Sequence, residues 1–415
     1  MPIPPGPLEP HPAVVGGGRI PLILLIADTG GGHRAAARAV TEALESSHPG
    51  RFEPILVDPL GGPGASRLLK AVTGLYGPSI RLAPWTWGAV YYASDSKAAM
   101  GLLRATILRL AERPVIDAVD QHDPAAVISF HPLVATAALA GRSRARVGTP
   151  VITVVTDLIT PHAAWRHEGI DTLVVPSASV RWRCHLDGIG SDRCHELGLP
   201  VGSPFTRGPV RGGGDRAALR RRLGLPTDRF TVLVTGGGEG SGGLARRAAA
   251  LMSRVDGIDV VAVCGRNRPL RARLARLARR SGGHLHVQGF VDNMADWLRA
   301  VDVVVSKAGP GTIAEATACG APLLLTSHVP GQEKGNTEFV VGAGAGAHVP
   351  GIDELVDQVT RLRDDPEALE AMRAAAARVS RPRAAALIAA LIATSVGLGR
   401  PEAGDLATLG AVAQR

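Results

Sequence analysis

Two neighbouring segments hold the side-chain types that a phosphorylated sugar requires. The first runs Ser306-Lys307-Ala308-Gly309-Pro310-Gly311-Thr312-Ile313-Ala314-Glu315, and the second Pro330-Gly331-Gln332-Glu333-Lys334-Gly335-Asn336. The run 301–305 reads as a buried strand that delivers the chain into the Gly309-Pro310-Gly311 turn, with a helix expected from Thr312. Such a turn presents unpaired backbone N–H groups at the positive end of a helix dipole, which suits phosphate. Gln332, Glu333 and Asn336 add amide and carboxylate groups able to grip sugar hydroxyls. Phosphate and sugar side by side suggest a nucleotide-sugar.

Glu315 admits two readings. Thr312 and Glu315 have the spacing of a capping box, with Thr at the N-cap and Glu at N3. The same carboxylate, one turn below a phosphate, could accept ribose hydroxyls. Two further glycine loops follow candidate strands: Gly30-Gly31-Gly32, ending in His33, and Gly236-Gly237-Gly238-Glu239-Gly240. Gly238, Gly240 and Gly243 fit GxGxxG, but the next strand ends Val263-Cys264-Gly265-Arg266 without the acid that a dinucleotide ribose needs. A dehydrogenase is disfavoured, and the chain has no Walker A pattern. His33, at a helix start behind bare backbone, is placed to take a proton from a hydroxyl. His131, Asp157, His162, His167 and Glu168 follow strand ends at spacings poor for a metal site, and there is no Asp-x-Asp to hold a metal-diphosphate. Diphosphate charge falls instead to helix ends and to Arg266 or Lys307.

A different signal lies in 68–113. Tyr76, Tyr91 and Tyr92 are all the tyrosines of the chain, and Trp85 and Trp87 lie among them. Arg67, Lys70, Arg81, Lys97, Arg104 and Arg109 are interleaved, a mixture that favours an anionic headgroup boundary. The alternative is a core helix pair, since Met100, Leu103, Ile107 and Leu110 are helically spaced. In 270–280, Arg273, Arg276 and Arg280 share one face, which alone reads as a solvated surface. The net charge is +9. That is compatible with nucleic acid, an anionic membrane, an anionic substrate or a GC-rich coding bias; no nucleic-acid module appears. Four scattered cysteines without CxxC fit a reducing cytoplasm. No signal-peptide pattern or run long enough to span a bilayer is seen, so a soluble or peripheral protein is expected.

These residues need a scaffold, and the apolar runs supply one. Short runs at 20–27, 54–57, 125–130, 150–155 and 172–175 alternate with helical patterns, as do 231–235, 258–264, 284–288, 302–306, 321–325 and 345–349. This is βα repetition and predicts parallel sheets covered on both faces. The Gly/Pro-rich stretch 198–214 reads as a linker. The prediction is an α/β chain of two doubly wound, Rossmann-like domains facing across a cleft. Its parts are a disordered lead (1–18), an N-terminal acceptor and membrane-facing domain (19–205), a C-terminal donor domain (206–375), and a C-terminal helix with a polar tail (376–415).

Taken together, the motifs resemble the monogalactosyldiacylglycerol synthases and bacterial diacylglycerol glucosyltransferases of glycosyltransferase family 28, which also contains the peptidoglycan lipid-intermediate GlcNAc transferase. The resemblance rests on Asp28-Thr29-Gly30-Gly31-Gly32-His33-Arg34, Phe130-His131-Pro132-Leu133, Val155-Thr156-Asp157-Leu158, Gly198-Leu199-Pro200-Val201, Gly236–Gly240, Cys264-Gly265-Arg266-Asn267, Gly289-Phe290-Val291 and the two opening segments. It implies a GT-B fold and inverting, metal-independent transfer from a UDP-hexose co-substrate, with no cofactor. Uracil would lie near Phe290 and Val291, and diphosphate on Gly309, Pro310, Gly311, Thr312 and Gly236–Gly240. Ribose would lie on Glu315, and the sugar on Gln332, Glu333 and Asn336. His33 would be the base, with Asp157 a second catalytic candidate. Gly31, Gly32, His131, Trp85, Trp87, Tyr91 and Tyr92 would face the acceptor or membrane. The acceptor implied is diacylglycerol or a similar lipid, and the location is the inner face of the cell membrane, peripherally bound from the cytoplasm. Alternatives are a polyprenyl-linked or small-molecule acceptor, a UDP-sugar epimerase, or a UDP-sugar sensor. Plant members carry Cys-His-Pro where this chain has Thr160-Pro161-His162-Ala163.

Overall fold

In the computed structural model, residues 11–27, 31–75, 84–209, 213–238 and 243–398 are described, without the side chains of 84–87 and 213. The chain divides into two compact units, 1–203 with 383–415, and 204–382.

The first unit holds six parallel strands: β1 (Ile20–Leu25), β2 (Phe52–Val57), β3 (Ala126–Ser129), β4 (Val151–Val154), β5 (Thr172–Val175) and β6 (Cys194–Glu196), in the order β2-β1-β3-β4-β5-β6. Side chains of β1 alternate between two cores. Leu22 and Leu24 face the helices Gly32–Ser47 and Ala384–Ser395, while Ile23 and Leu25 join Val115, Val119 and the Ala-rich helix Ala135–Arg142. Burial on both faces explains why these strands are continuously apolar rather than alternating.

The second unit repeats the plan with β7 (Phe230–Thr235), β8 (Ile258–Val263), β9 (Leu285–Gln288), β10 (Val303–Ser306), β11 (Leu323–Leu325) and β12 (Gly346–His348), ordered β12-β11-β10-β7-β8-β9. The predicted pair of parallel, doubly wound domains is what the chain forms. At the start of β10, the Asp302 carboxylate gathers Arg216, Arg220 and Arg373 at 2.6–3.1 Å and accepts the Thr231 N–H at 2.8 Å. A buried carboxylate with this many donors ties two helices, Gly213–Arg222 and Pro366–Val379, and two strands to one point.

Three expectations differ from the structure. Residues within the lead that was read as disordered form the short helix Pro12–Val15, held by a bond between His11 Nε2 and the Asp123 carbonyl (2.9 Å). The 366–396 helical region breaks before Pro382, a residue that can neither donate to nor continue a helix. Its second half, Ala384–Ser395, packs on Gly32–Ser47 in the first unit instead of forming a separate tail. Strand β6 has no apolar run to announce it.

Candidate active site

In each sheet the strand order reverses beside the first strand of its unit, so that β1 lies between β2 and β3, and β7 between β8 and β10. At such a switch point the loops leaving adjacent strands diverge and open a crevice at their carboxyl ends. The topology therefore brings the Gly31-Gly32-His33 loop beside Phe130-His131 in the first unit. In the second it brings Gly236–Gly238 beside Lys307–Gly309. Asp28, Thr29, Gly30, Glu239 and Gly240 lie outside the described residues.

In the first unit Gly31 caps the helix Gly32–Ser47 with φ 81°, a conformation that favours glycine. No atom lies within 4 Å of where a Cβ would stand on Gly31 or Gly32, so bare backbone faces open space. His33, in the first turn, is buried. Its Nδ1 lies 2.9 Å from Thr156 Oγ1, and its ring meets His131 edge-on at 4.6 Å between centroids. Burial lowers its pKa to about 4, with the Phe130 backbone opposing, so the imidazole is neutral at pH 7. His131 Nδ1 accepts the Leu133 N–H at 3.2 Å, which leaves the proton of the neutral ring on Nε2. Burial, then His33, push its pKa well down.

Asp157 turns inward. Its Oδ2 accepts the indole N–H of the fully buried Trp165 at 2.6 Å, and the Trp165 ring lies 6.2 Å from that of His33. Through Oδ2, Asp157 holds the loop that walls the His33 ring. The same loop is clamped from 84–105. Tyr91 Oη donates to the Thr160 carbonyl (3.1 Å), Asp95 accepts the Ala163 N–H (2.7 Å), and His162 caps Ala164 (3.1 Å). Tyr91 is a buried structural clamp, while Tyr92 is exposed; the Trp85 and Trp87 side chains lie outside the described residues. The core reading of this segment holds for Met100 and, partly buried, Leu103, which pack with Leu108 on Ala163 and Ala164. Leu68, Val72, Leu75, Leu102, Ile107 and Leu110 are exposed. Beside the His33 helix a cavity of about 570 Å³ opens over the ends of β1 and β2, lined by Ile26, Ala27, Arg34, Leu60, Lys70 and Thr73 among others.

In the second unit the helix after β10 starts at Pro310, not at Thr312, with Gly309 as its N-cap and no side-chain cap bond. The capping-box reading is therefore wrong: Thr312 is the third helical residue and Glu315 the sixth. The N–H groups of Gly311 and Thr312 have no partner among the described residues and point out of the helix start. Glu315 forms no side-chain hydrogen bond or ion pair among the described residues, and burial pushes its carboxyl up to about 7. Nothing structural consumes it.

The opposite holds for Glu333. Its Oε1 pairs with Lys307 Nζ and its Oε2 accepts the Val329 N–H at 2.9 Å. Asn336 Nδ2 donates to the Ala308 carbonyl at 2.9 Å, while its Oδ1 is buried without a partner. Both side chains fasten the second segment to the first, and Lys307 is neutralised by Glu333. Gln332 also has a partner. Across the switch point a Cβ on Gly265 would lie 2.4 Å from the Gly238 carbonyl, and the Arg266 N–H donates to that same carbonyl at 2.9 Å. Only glycine fits there, and it locks the β7 and β8 loops together. The Arg266 guanidinium lies over the exposed Phe290 ring, 5.2 Å from its centroid, with Val291 next to it. Among the described residues, no group of three His, Cys, Asp or Glu could hold a metal ion.

Sequence reasoning missed Thr156 and Trp165 as partners of His33 and Asp157, and the Lys307–Glu333 pair. Thr156 did stand in a motif beside Asp157, but it meets a residue 123 positions away, which no local spacing reveals.

Comparison with known proteins agrees with the geometry. Residues 33–201 match the monogalactosyldiacylglycerol synthase family model, and residues 231–388 the C-terminal domain of glycosyltransferase family 28. The chain is 31% identical over 381 residues to monogalactosyldiacylglycerol synthase 3, chloroplastic, of Arabidopsis thaliana, covering 88% of this chain and 78% of that one. MurG of Acinetobacter baumannii has the same fold, with a TM-score of 0.57 at 16% identity over 90% of this chain and 99% of its own. So does the UDP-GlcNAc 2-epimerase of Neisseria meningitidis bound to UDP-GlcNAc, with a TM-score of 0.56 at 14% identity over 90% and 100%. The fold is GT-B. The chain is a glycosyltransferase and belongs to the monogalactosyldiacylglycerol synthase family.

Proposed function

We propose that this glycosyltransferase moves a hexose from a UDP-hexose to the free hydroxyl of 1,2-diacylglycerol with inversion, so that an α-linked donor gives a β-glycoside. The observation that carries this reading is the match to a named monogalactosyldiacylglycerol synthase across both units. Fold alone would not select it, because a 2-epimerase shares the architecture. That neighbour's bound UDP-GlcNAc supports a nucleotide-sugar donor on the same fold.

On this reading the first unit supplies the base. Thr156 Oγ1 holds the His33 ring through Nδ1, and the neutral imidazole takes the acceptor's proton as its oxygen attacks the anomeric carbon. The cavity beside Arg34 and Lys70 receives the glycerol. The second unit supplies the donor half. The Gly311 and Thr312 N–H groups and Arg266 meet the diphosphate, Glu315 accepts from the ribose, and Phe290 and Val291 flank uracil. UDP leaves against the helix start, without a metal. The exposed apolar residues of 67–111, with Lys70, Lys97 and Arg109, set the protein peripherally on the cytoplasmic face of an anionic membrane. No described helix is long and apolar enough to cross one.

The test is to incubate the protein with radiolabelled UDP-glucose, UDP-galactose and UDP-GlcNAc, with and without diacylglycerol vesicles, and extract lipids. Label in the lipid phase only with vesicles supports the reading. An epimerised donor formed without lipid overturns it.

A further inference from the structure

A strong charge asymmetry runs from Arg266 of the donor half along the helix Arg268–Ala278. From 266 to 280 the chain carries seven arginines (266, 268, 271, 273, 276, 279 and 280) and no Asp or Glu, against a net charge of +9 for the whole protein. Among the described residues none of the seven forms an ion pair or a side-chain hydrogen bond, and all are exposed. In the first unit, by contrast, exposed Arg113, Arg144 and Arg146 each face an aspartate. Between the helices Leu244–Arg254 and Arg268–Ala278 lies a groove of about 530 Å³. Its floor is Ala245, Ala249, Leu274 and Leu277, and its rim is Arg273, Arg276, Arg279 and Arg280.

Like charges crowded on one short helix repel, and neutralising partners are missing from the surface itself. An anion in the groove would relieve that repulsion. The apolar floor distinguishes the candidate occupants. A free phosphate gains nothing from alanine and leucine, and single-stranded nucleic acid wants aromatic rings to stack on, of which this lining has none. A phosphate that carries a glycerol matches both parts, its charge on the arginines and its carbons on the partly exposed Ala245, Ala249 and Leu277. The helix itself does not insert, because Leu274 is in the core and Leu270 and Leu277 pack against it. Contact is therefore through charge at headgroup level.

We propose that the arginine-rimmed groove between Leu244–Arg254 and Arg268–Ala278 is a docking site for anionic phospholipid headgroups, by which the second unit binds a membrane. The proposal rests on the reading that the enzyme works at an anionic bilayer. It adds a purely electrostatic contact to the mixed apolar and basic one ascribed to 67–111.

The test compares the full chain with Arg273→Gln/Arg276→Gln/Arg280→Gln in co-sedimentation with phosphatidylcholine vesicles, with and without phosphatidylglycerol. Glutamine preserves helix propensity. Each basic residue near an anionic surface contributes roughly fivefold to partitioning, so the triple variant should lose on the order of 100-fold on phosphatidylglycerol vesicles. It should lose little on pure phosphatidylcholine, and high salt should erase the difference. The triple Lys variant should bind as wild type. UDP affinity and transfer to detergent-dispersed diacylglycerol should be unchanged in all, which reports an intact fold. Equal partitioning of wild type and the Gln variant overturns the proposal, as does single-stranded RNA displacing the vesicles from wild type. Absence of transfer by every protein sinks the transferase reading and leaves the vesicle comparison to stand or fall alone.

Discussion

Replacing Glu315 by Gln should make the protein more stable and a poorer binder at once. The carboxyl has no partner, and burial raises it from 4.5 to about 7. Below pH 4.5 it is protonated in both native and unfolded chains, so Glu315→Gln changes little there. As the pH rises, the unfolded chain ionises first and the native state loses relative stability until the pH passes about 7. Above that the loss is constant, and for a half-buried group a displacement of this size corresponds to at most about 3 kcal/mol. For a unit the size of 204–382 each kcal/mol moves Tm by roughly 2–4 °C, so Glu315→Gln should melt up to about 10 °C higher at pH 8.5. Calorimetry at pH 5 and pH 8.5 reads this directly. UDP should reverse the ranking. A carboxylate accepting ribose hydroxyls makes charge-assisted bonds worth about 1.5–3 kcal/mol, so the variant should bind UDP roughly 10–100-fold more weakly. Wild-type affinity should itself fall as pH drops below about 7. If Glu315→Gln gained no stability between pH 5 and pH 8.5, the half-buried carboxylate without a partner among the described residues would be refuted.

Three further outcomes follow from the same geometry. Thr156→Val removes the partner of His33 Nδ1 and should lower kcat about 10–100-fold with KM little changed, whereas Thr156→Ser should restore most of it. Because burial holds His33 near a pKa of about 4, the acid limb of the kcat profile should lie near pH 4; a break at 6.5 would contradict the enclosed imidazole. Lys307→Met strands the buried Glu333 carboxylate and should cost about 3–5 kcal/mol in urea titration, much of it recovered in the Lys307→Met/Glu333→Gln double variant.

Strands were legible because most are apolar runs punctuated by Gly and Pro. β6 was not, since Cys194–Glu196 is short and largely polar. The donor loop was legible as chemistry but not in register. A helix with Pro at its first position does not need Thr312 as a cap, and moving the start back to Pro310 frees Glu315 from structural duty. The types of Glu333 and Asn336 suit sugar hydroxyls, but the contacts that hold these side chains were not legible. In the structure they bind Lys307 and the Ala308 carbonyl, partners at 26 and 28 residues' distance. The surroundings of His33 depend on β1, β3 and β4 lying side by side, and that is fixed by topology rather than by any local pattern. The return of Ala384–Ser395 to the first unit is likewise a packing outcome, since its uniformly apolar sequence would suit either core.

The central claim is that His33 is the base of a transfer from UDP-hexose to diacylglycerol. Turnover of labelled UDP-hexose into extractable lipid by wild type and His33→Ala, with UDP affinity measured on both, tests it most directly. The account predicts a fall of roughly 10²–10⁴-fold in kcat with UDP binding intact. Turnover within about tenfold of wild type, given the size of general-base effects, would contradict it.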